Sequence, residues 1–140
     1  MEKQAPDLLL IEDNPDDAKL AIRILRKSNI ANHLLHLKDG EEAISYLSSL
    51  SKYKAPKLIL LDIKMPKIDG LEVLRKVKSN PALNSTVVVI LTSSGEEKDI
   101  ADAYEAGVNA YLVKPVEFAA YNDMLTKAGY FWMTLNQIPK

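Results

Sequence analysis

The chain has 140 residues, with 19 acidic and 18 basic side chains, a formal net charge of -1 and no cysteine. That length suits one domain, the charge balance gives no broad basic surface for nucleic acid, and the missing cysteines exclude disulfides, thiolate metal sites and a cysteine nucleophile. No apolar stretch reaches a membrane span or a secretory core segment, so a soluble cytoplasmic protein with no membrane partner is expected.

The predicted elements alternate along the chain. Leu8 to Ile11 is a short run that is apolar at every position, the pattern of a strand buried on both faces. Asn14-Pro15 then supplies a helix cap and a first-turn proline, and Ala18, Ala21, Ile22 and Leu25 form one stripe of a helix. His33 to Leu37 is a second, weaker strand, followed by a helix over Glu41 to Leu50. The stretch Ser48 to Lys57 is rich in Ser and Lys and reads as a loop. Leu58 to Leu61 is the third strand, and Gly70 precedes a helix carrying Leu71, Leu74 and Val77. Val87 to Leu91 is the fourth strand; Ile100, Ala103, Tyr104 and Gly107 form the stripe of the next helix. Ala110 to Val113 is the fifth strand, and a last helix runs from Phe118 to about Leu135, with Tyr121, Leu125, Ala128 and Trp132 on one side.

Five such strand–helix units predict an α/β fold, a parallel sheet with helices on both faces and right-handed crossovers. The natural choice is the flavodoxin-like, doubly wound order 2-1-3-4-5. One domain over 1–140 is expected, with its core at about 7–128 and a C-terminal extension over 129–140.

In that architecture ligands bind at the carboxyl ends of the strands. Strand one ends in Glu12-Asp13, strand three in Asp62, strand four in Thr92-Ser93 and strand five in Lys114-Pro115. Taken singly each is ordinary: a carboxylate or hydroxyl caps a turn or helix, and Lys-Pro ends a strand. Together, at the ends of neighbouring strands, they form a cluster. Three carboxylates in a partly desolvated cleft repel one another, and a hard divalent cation relieves that repulsion. Thr92 adds a hydroxyl donor and Lys114 a mobile positive charge suited to phosphate. A carboxylate nucleophile in this setting can carry a phosphoryl group.

The segments LLLIEDNPDD, LILLDIKMPKIDGLEVL, VVVILTSS and AYLVKP, in this order, resemble the response-regulator receiver family of two-component signalling. The resemblance implies phosphoryl transfer from a histidine kinase to Asp62, with Mg²⁺ (Mn²⁺ as a substitute) held by Asp13, Asp62, the backbone carbonyl of Lys64 and, mostly through water, Glu12. It implies phosphate contacts from Thr92 and Lys114, a cis Lys114–Pro115 bond, and a switch in which Thr92 moves toward the phosphate and Tyr111 rotates inward. The face built by the fourth helix, fifth strand and fifth helix then repacks. Lys64 and Ser94 occupy family-variable positions that tune hydrolysis; Lys64 is expected to pair with an acidic neighbour or to shield the site. A narrower similarity, to single-domain regulators paired with bacterial phytochrome kinases, rests on the Ser48 to Lys57 loop, on LTSSGEEKDIADAYEAGVNAYLVKPVEF and on GYFWMTLNQIP.

Seven of the nine aromatic residues lie at or after position 104: Tyr104, Tyr111, Phe118, Tyr121, Tyr130, Phe131 and Trp132. Consecutive helical residues diverge by about 100°, so Tyr130, Phe131 and Trp132 cannot all face a core. Tyr104, Phe118, Tyr121, Tyr130, Phe131 and Trp132 are therefore candidates for a homodimer or kinase-docking interface. The five glycines spell neither a P-loop nor a dinucleotide fingerprint, and His33 and His36 read as structural or surface residues. Two other functions fit the same residues. One is a Mg²⁺-dependent phosphohydrolase with an Asp nucleophile, against which stands Lys64 where an acid/base carboxylate would be needed. The other is a docking module that is never phosphorylated.

Overall fold

The structure is a computed structural model that describes residues 5–30, 33–51 and 54–138. Parts of the 1–140 domain, of the Ser48 to Lys57 loop and of the terminal GYFWMTLNQIP motif lie outside the described residues. The strands are β1 (Leu8–Ile11), β2 (Leu34–Leu37), β3 (Leu58–Leu61), β4 (Val87–Thr92) and β5 (Ala110–Val113). They alternate with α1 (Pro15–Lys27), α2 (Gly40–Ser48), α3 (Gly70–Ser79), α4 (Glu97–Glu105) and α5 (Phe118–Tyr130). All pairings are parallel, in the order β2-β1-β3-β4-β5. This is the flavodoxin-like arrangement that the alternation predicts.

Because strand side chains alternate, the apolar runs divide into two cores. Leu9, Ile11, Ile59, Leu61, Val88 and Ile90 meet α2, α3 and α4 through residues such as Leu47, Leu74 and Ala103. Leu8, Leu10, Leu58, Leu60, Val89 and Leu91 meet α1 and α5 through Ala21, Leu25, Tyr121 and Leu125. Burial of β1, β3 and β4 on both faces holds their carboxyl ends level, and that edge carries the site.

Local chemistry sets where helices begin. Asn14 caps α1, its side chain accepting from the amides of Asp16 at 2.9 Å and Asp17 at 3.1 Å, with Pro15 in the first turn. Asp39 and Asp69 cap α2 and α3 in the same way.

Two helical phases differ from the apolar periodicity. In α4 the buried residues are Asp99 and Ala103, and Tyr104 is exposed. The polar Ser94 and Lys64 that satisfy Asp99 allow this rotation. The last helix does not continue as an α-helix to Leu135. A five-residue π-helix, Phe131–Leu135, follows α5, and its wider turn closes with the Asn136 amide donating to the Phe131 carbonyl at 2.7 Å. Tyr121, Leu125, Gly129 and Met133 recur every four residues on the buried face. The π turn offsets the drift that strict α geometry gives a four-residue repeat. Lys57, just before β3, donates its ammonium to the Met133 carbonyl and anchors this turn.

Candidate functional site

Glu12 leaves β1 buried and fixed on three sides. Its amide donates to the Leu37 carbonyl at 3.1 Å, its own carbonyl accepts from His36 Nε2 at 2.8 Å, and its Oε2 accepts from the Asn14 amide at 3.2 Å. Asp13 beside it is half-buried. Asp62 leaves β3 buried; its amide donates to the Ile11 carbonyl at 3.0 Å and its Oδ1 accepts from the Lys64 amide at 3.2 Å. Carboxylate oxygens of Glu12, Asp13 and Asp62 all lie within 4.8 Å of one another. Thr92 ends β4 fully buried. Lys114 leaves β5, its amide tied to the Thr92 carbonyl at 2.7 Å, and its ammonium reaches across the cleft. It contacts Glu12 Oε1 at 2.5 Å, Asp17 Oδ2 at 3.4 Å and Asp62 Oδ2 at 3.9 Å.

Burial raises the Glu12 carboxyl to about 7; the Lys114 ammonium opposes that shift and the Asp62 charge adds to it. Burial also disfavours the Lys114 ammonium, but its contact with Glu12 and the charges of Asp62 and Asp17 outweigh this and hold it above its ordinary value. Oxygen donors from Glu12, Asp13 and Asp62 that converge at this edge have the chemistry that a divalent cation satisfies.

Residues 8–126 match the family model of the response regulator receiver domain. The chain belongs to the response-regulator receiver family. The receiver is 38% identical over 135 residues to the response regulator Rcp1 of Synechocystis sp., covering 94% of this chain and 92% of the relative. Among solved structures it resembles the phosphorylated cyanobacterial phytochrome response regulator RcpA, with a TM-score of 0.88 and 34% identity over 97% of this chain and 99% of the other. The Mn²⁺-bound form of Rcp1 has a TM-score of 0.86 and 38% identity, over 95% of this chain and 98% of the other. This is a domain of two-component signalling with phytochrome-associated relatives.

The fold brings Glu12, Asp13, Asp62 and Lys114 of the receiver together, and seats Thr92 one strand away from Asp62 with its hydroxyl accepting from the Ser94 amide at 3.4 Å. Tyr111 stands on β5 half-buried, its hydroxyl donating to the Ser94 carbonyl at 2.8 Å. Lys64 pairs with an acid, Asp99, at 3.1 Å. Two expectations are corrected. The Lys114–Pro115 bond is trans, as is every described peptide bond; trans is the intrinsically preferred isomer, and Lys114 reaches Glu12, Asp17 and Asp62 from it. Tyr121 is 5% exposed and packs into the α1–α5 core, so it is not an interface residue.

The other interface candidates divide by exposure. Tyr104, Phe118, Tyr130 and Phe131 are exposed. Trp132 is half-buried against the α1–α5 core and meets Phe131 edge-on, with ring centroids 4.9 Å apart.

Asp17, Asp99 and His36 join the site's hydrogen-bond and charge network, and the sequence pattern did not point to them for it. Asp17 had a legible signal, since it lies in the first turn of the helix that starts just after Glu12 and Asp13. The others depend on contacts between separate elements.

Proposed function

We propose that this receiver is a cytoplasmic phosphorylation switch: Asp62 accepts a phosphoryl group from a histidine kinase, and the change in charge repacks the α4–β5–α5 face. The observation that carries this reading is the meeting of three carboxylates and one buried ammonium at the ends of β1, β3 and β5. Mg²⁺, or Mn²⁺ in its place, would be held by Asp13, Asp62, the Lys64 carbonyl and, through water, Glu12, and when bound it neutralises the carboxylates and the phosphoryl oxygens.

The rest is done by the chain. The Lys64 amide orients the Asp62 carboxylate. An Asp62 oxygen attacks phosphorus as the bond from phosphorus to the donor's imidazole nitrogen breaks. Lys114, already 3.9 Å from Asp62, meets the transferred oxygens as a point charge. The Thr92 hydroxyl donates to the same group, and Tyr111 leaves the Ser94 carbonyl to fill the space behind it. The likeness to RcpA and Rcp1 favours a phytochrome-type kinase as the donor.

Acetyl phosphate with Mg²⁺, followed by intact mass, tests this. One phosphoryl adduct, absent in Asp62→Asn, is the expected result. Rapid multiple turnover of phosphate esters would instead favour a phosphohydrolase, and no adduct at all would favour an unphosphorylated docking module.

The C-terminal extension has a separate role in this reading. Tyr130, Phe131 and Leu135 are exposed together around the π turn, and such a patch is suited to self-association. Sedimentation is expected to give a homodimer that Phe131→Ser weakens at least tenfold, about 1.4 kcal/mol of interface. A monomer at all concentrations, with and without acetyl phosphate, excludes the dimer.

A further inference from the structure

Lys64 sits at an intersection that phosphoryl chemistry alone does not explain. Its amide holds Asp62 Oδ1 at 3.2 Å, while its ammonium turns away from the acid cluster to Asp99 Oδ2 at 3.1 Å. Asp99 lies in the first turn of α4, and its side chain is only 12% exposed. The same Oδ2 accepts from Ser94 Oγ at 2.5 Å. Ser94 in turn accepts, through its carbonyl, from the Tyr111 hydroxyl at 2.8 Å, and its amide donates to Thr92 Oγ1 at 3.4 Å. One chain of contacts thus runs from the residue beside Asp62 through α4 to Tyr111 and Thr92. Ser94 and Lys64 both hold the Asp99 carboxyl below its ordinary value, so it stays charged. Asp102 pairs instead with Lys98, at 3.0 Å.

The partners are unequal. The Lys64 side chain is 58% exposed on a flexible stem, whereas Asp99 is enclosed and cannot follow it. An anion of higher charge near the Lys64 backbone would compete for the ammonium. A phosphoryl group on Asp62 is such an anion, adding about -1.5 to -2.

We propose that Lys64 is a positioning residue that exchanges Asp99 for the phosphoryl oxygens, so that charge gained at Asp62 is felt as the loss of a tether on α4. In the unmodified receiver the Lys64–Asp99 pair pins the first turn of α4 to the β3–α3 loop and keeps Ser94 where it holds Tyr111. Once Lys64 turns, Asp99 keeps Ser94 alone, and α4 is free to move with Tyr111. This inference rests on the reading of Asp62 as phosphoacceptor.

Hydrogen exchange of the α4 amides from Ile100 to Tyr104, in the full chain with and without excess acetyl phosphate and Mg²⁺, tests it. Wild-type exchange should quicken about twofold to fivefold on loading, the scale expected for a lost surface pair. Lys64→Met and Asp99→Asn should exchange at the quickened rate before loading and change no further. Lys64→Arg should restore the response, because an arginine can still choose between the two anions. Intact mass should show that Asp99→Asn, changed outside the acid cluster, still takes up one phosphoryl group, so its flat response reflects the missing tether. If Lys64→Met keeps wild-type protection, or still quickens on loading, the exchange of partners is wrong while the switch reading stands. If the wild-type chain takes up no phosphoryl group, both fall together.

Discussion

Gly70 joins the fold to the chemistry, and replacing it with alanine measures how tightly. An added Cβ would lie 2.2 Å from the Asp62 carbonyl oxygen and 2.6 Å from the Ile63 Cα. Both are backbone atoms at the end of β3, so no flexible side chain can yield. Restoring ordinary contact at 3.4 Å requires the start of α3 and the end of β3 to part by about 1 Å. Alanine in a helix gains about 1 kcal/mol over glycine, while forced overpacking costs about 1–3 kcal/mol or more. With backbone on both sides the clash wins, and a net loss of about 2 kcal/mol is expected. The site should suffer more than the fold, because a 1 Å misplacement of a reacting group slows chemistry by about 100-fold. Gly95→Ala is the control: its Cβ would meet only Val113 methyls at 3.8 and 3.9 Å. That variant should match the parent or gain up to about 1 kcal/mol from a less flexible unfolded chain. Urea unfolding and the rate of acetyl phosphate labelling read both effects. Gly70→Ala with parental stability and labelling would refute the close approach of α3 to Asp62.

Without cation, the raised Glu12 carboxyl makes stability fall with pH. Its folded value, about 7, exceeds the ordinary 4.5, so its contribution is complete below 4.5 and lost as pH climbs through 7, an effect of about 3 kcal/mol at most. Thermal melts in a chelator across that range test the sign, which a more stable protein at pH 8 than at pH 5.5 would contradict. Mg²⁺ must displace the same proton, so its affinity, followed by calorimetry, should weaken by about tenfold per pH unit below 7 and release protons on binding. Lys114→Met removes the ammonium from Glu12, Asp17 and Asp62. It should cost about 2 kcal/mol at pH 8 and less at pH 6, where Glu12 takes up a proton instead of staying charged and unpaired. Urea unfolding at the two pH values checks this, and equal losses at both would contradict it.

The residue pattern alone settled much of this protein. Runs such as LLLI and VVVIL are apolar at every position, which only a strand covered on both faces can use, and their alternation with helices leaves few topologies. Once the order is 2-1-3-4-5, the residues after each strand must share one edge, so Glu12, Asp13, Asp62, Thr92 and Lys114 were legible as a group. Tertiary structure decided the rest. The phase of a mostly polar helix depends on what it docks against: α4 buries Asp99 because Ser94 and Lys64 satisfy it, and it leaves Tyr104 in solvent. The rotation of α5 and its π turn placed Tyr121 in the core and Tyr130 and Phe131 outside. The hydrogen bond from His36 to the Glu12 carbonyl, and the reach of Lys114 to Asp17, join residues far apart in sequence. Local periodicity reports which residues avoid water, whereas partners across elements are chosen only when the layers close.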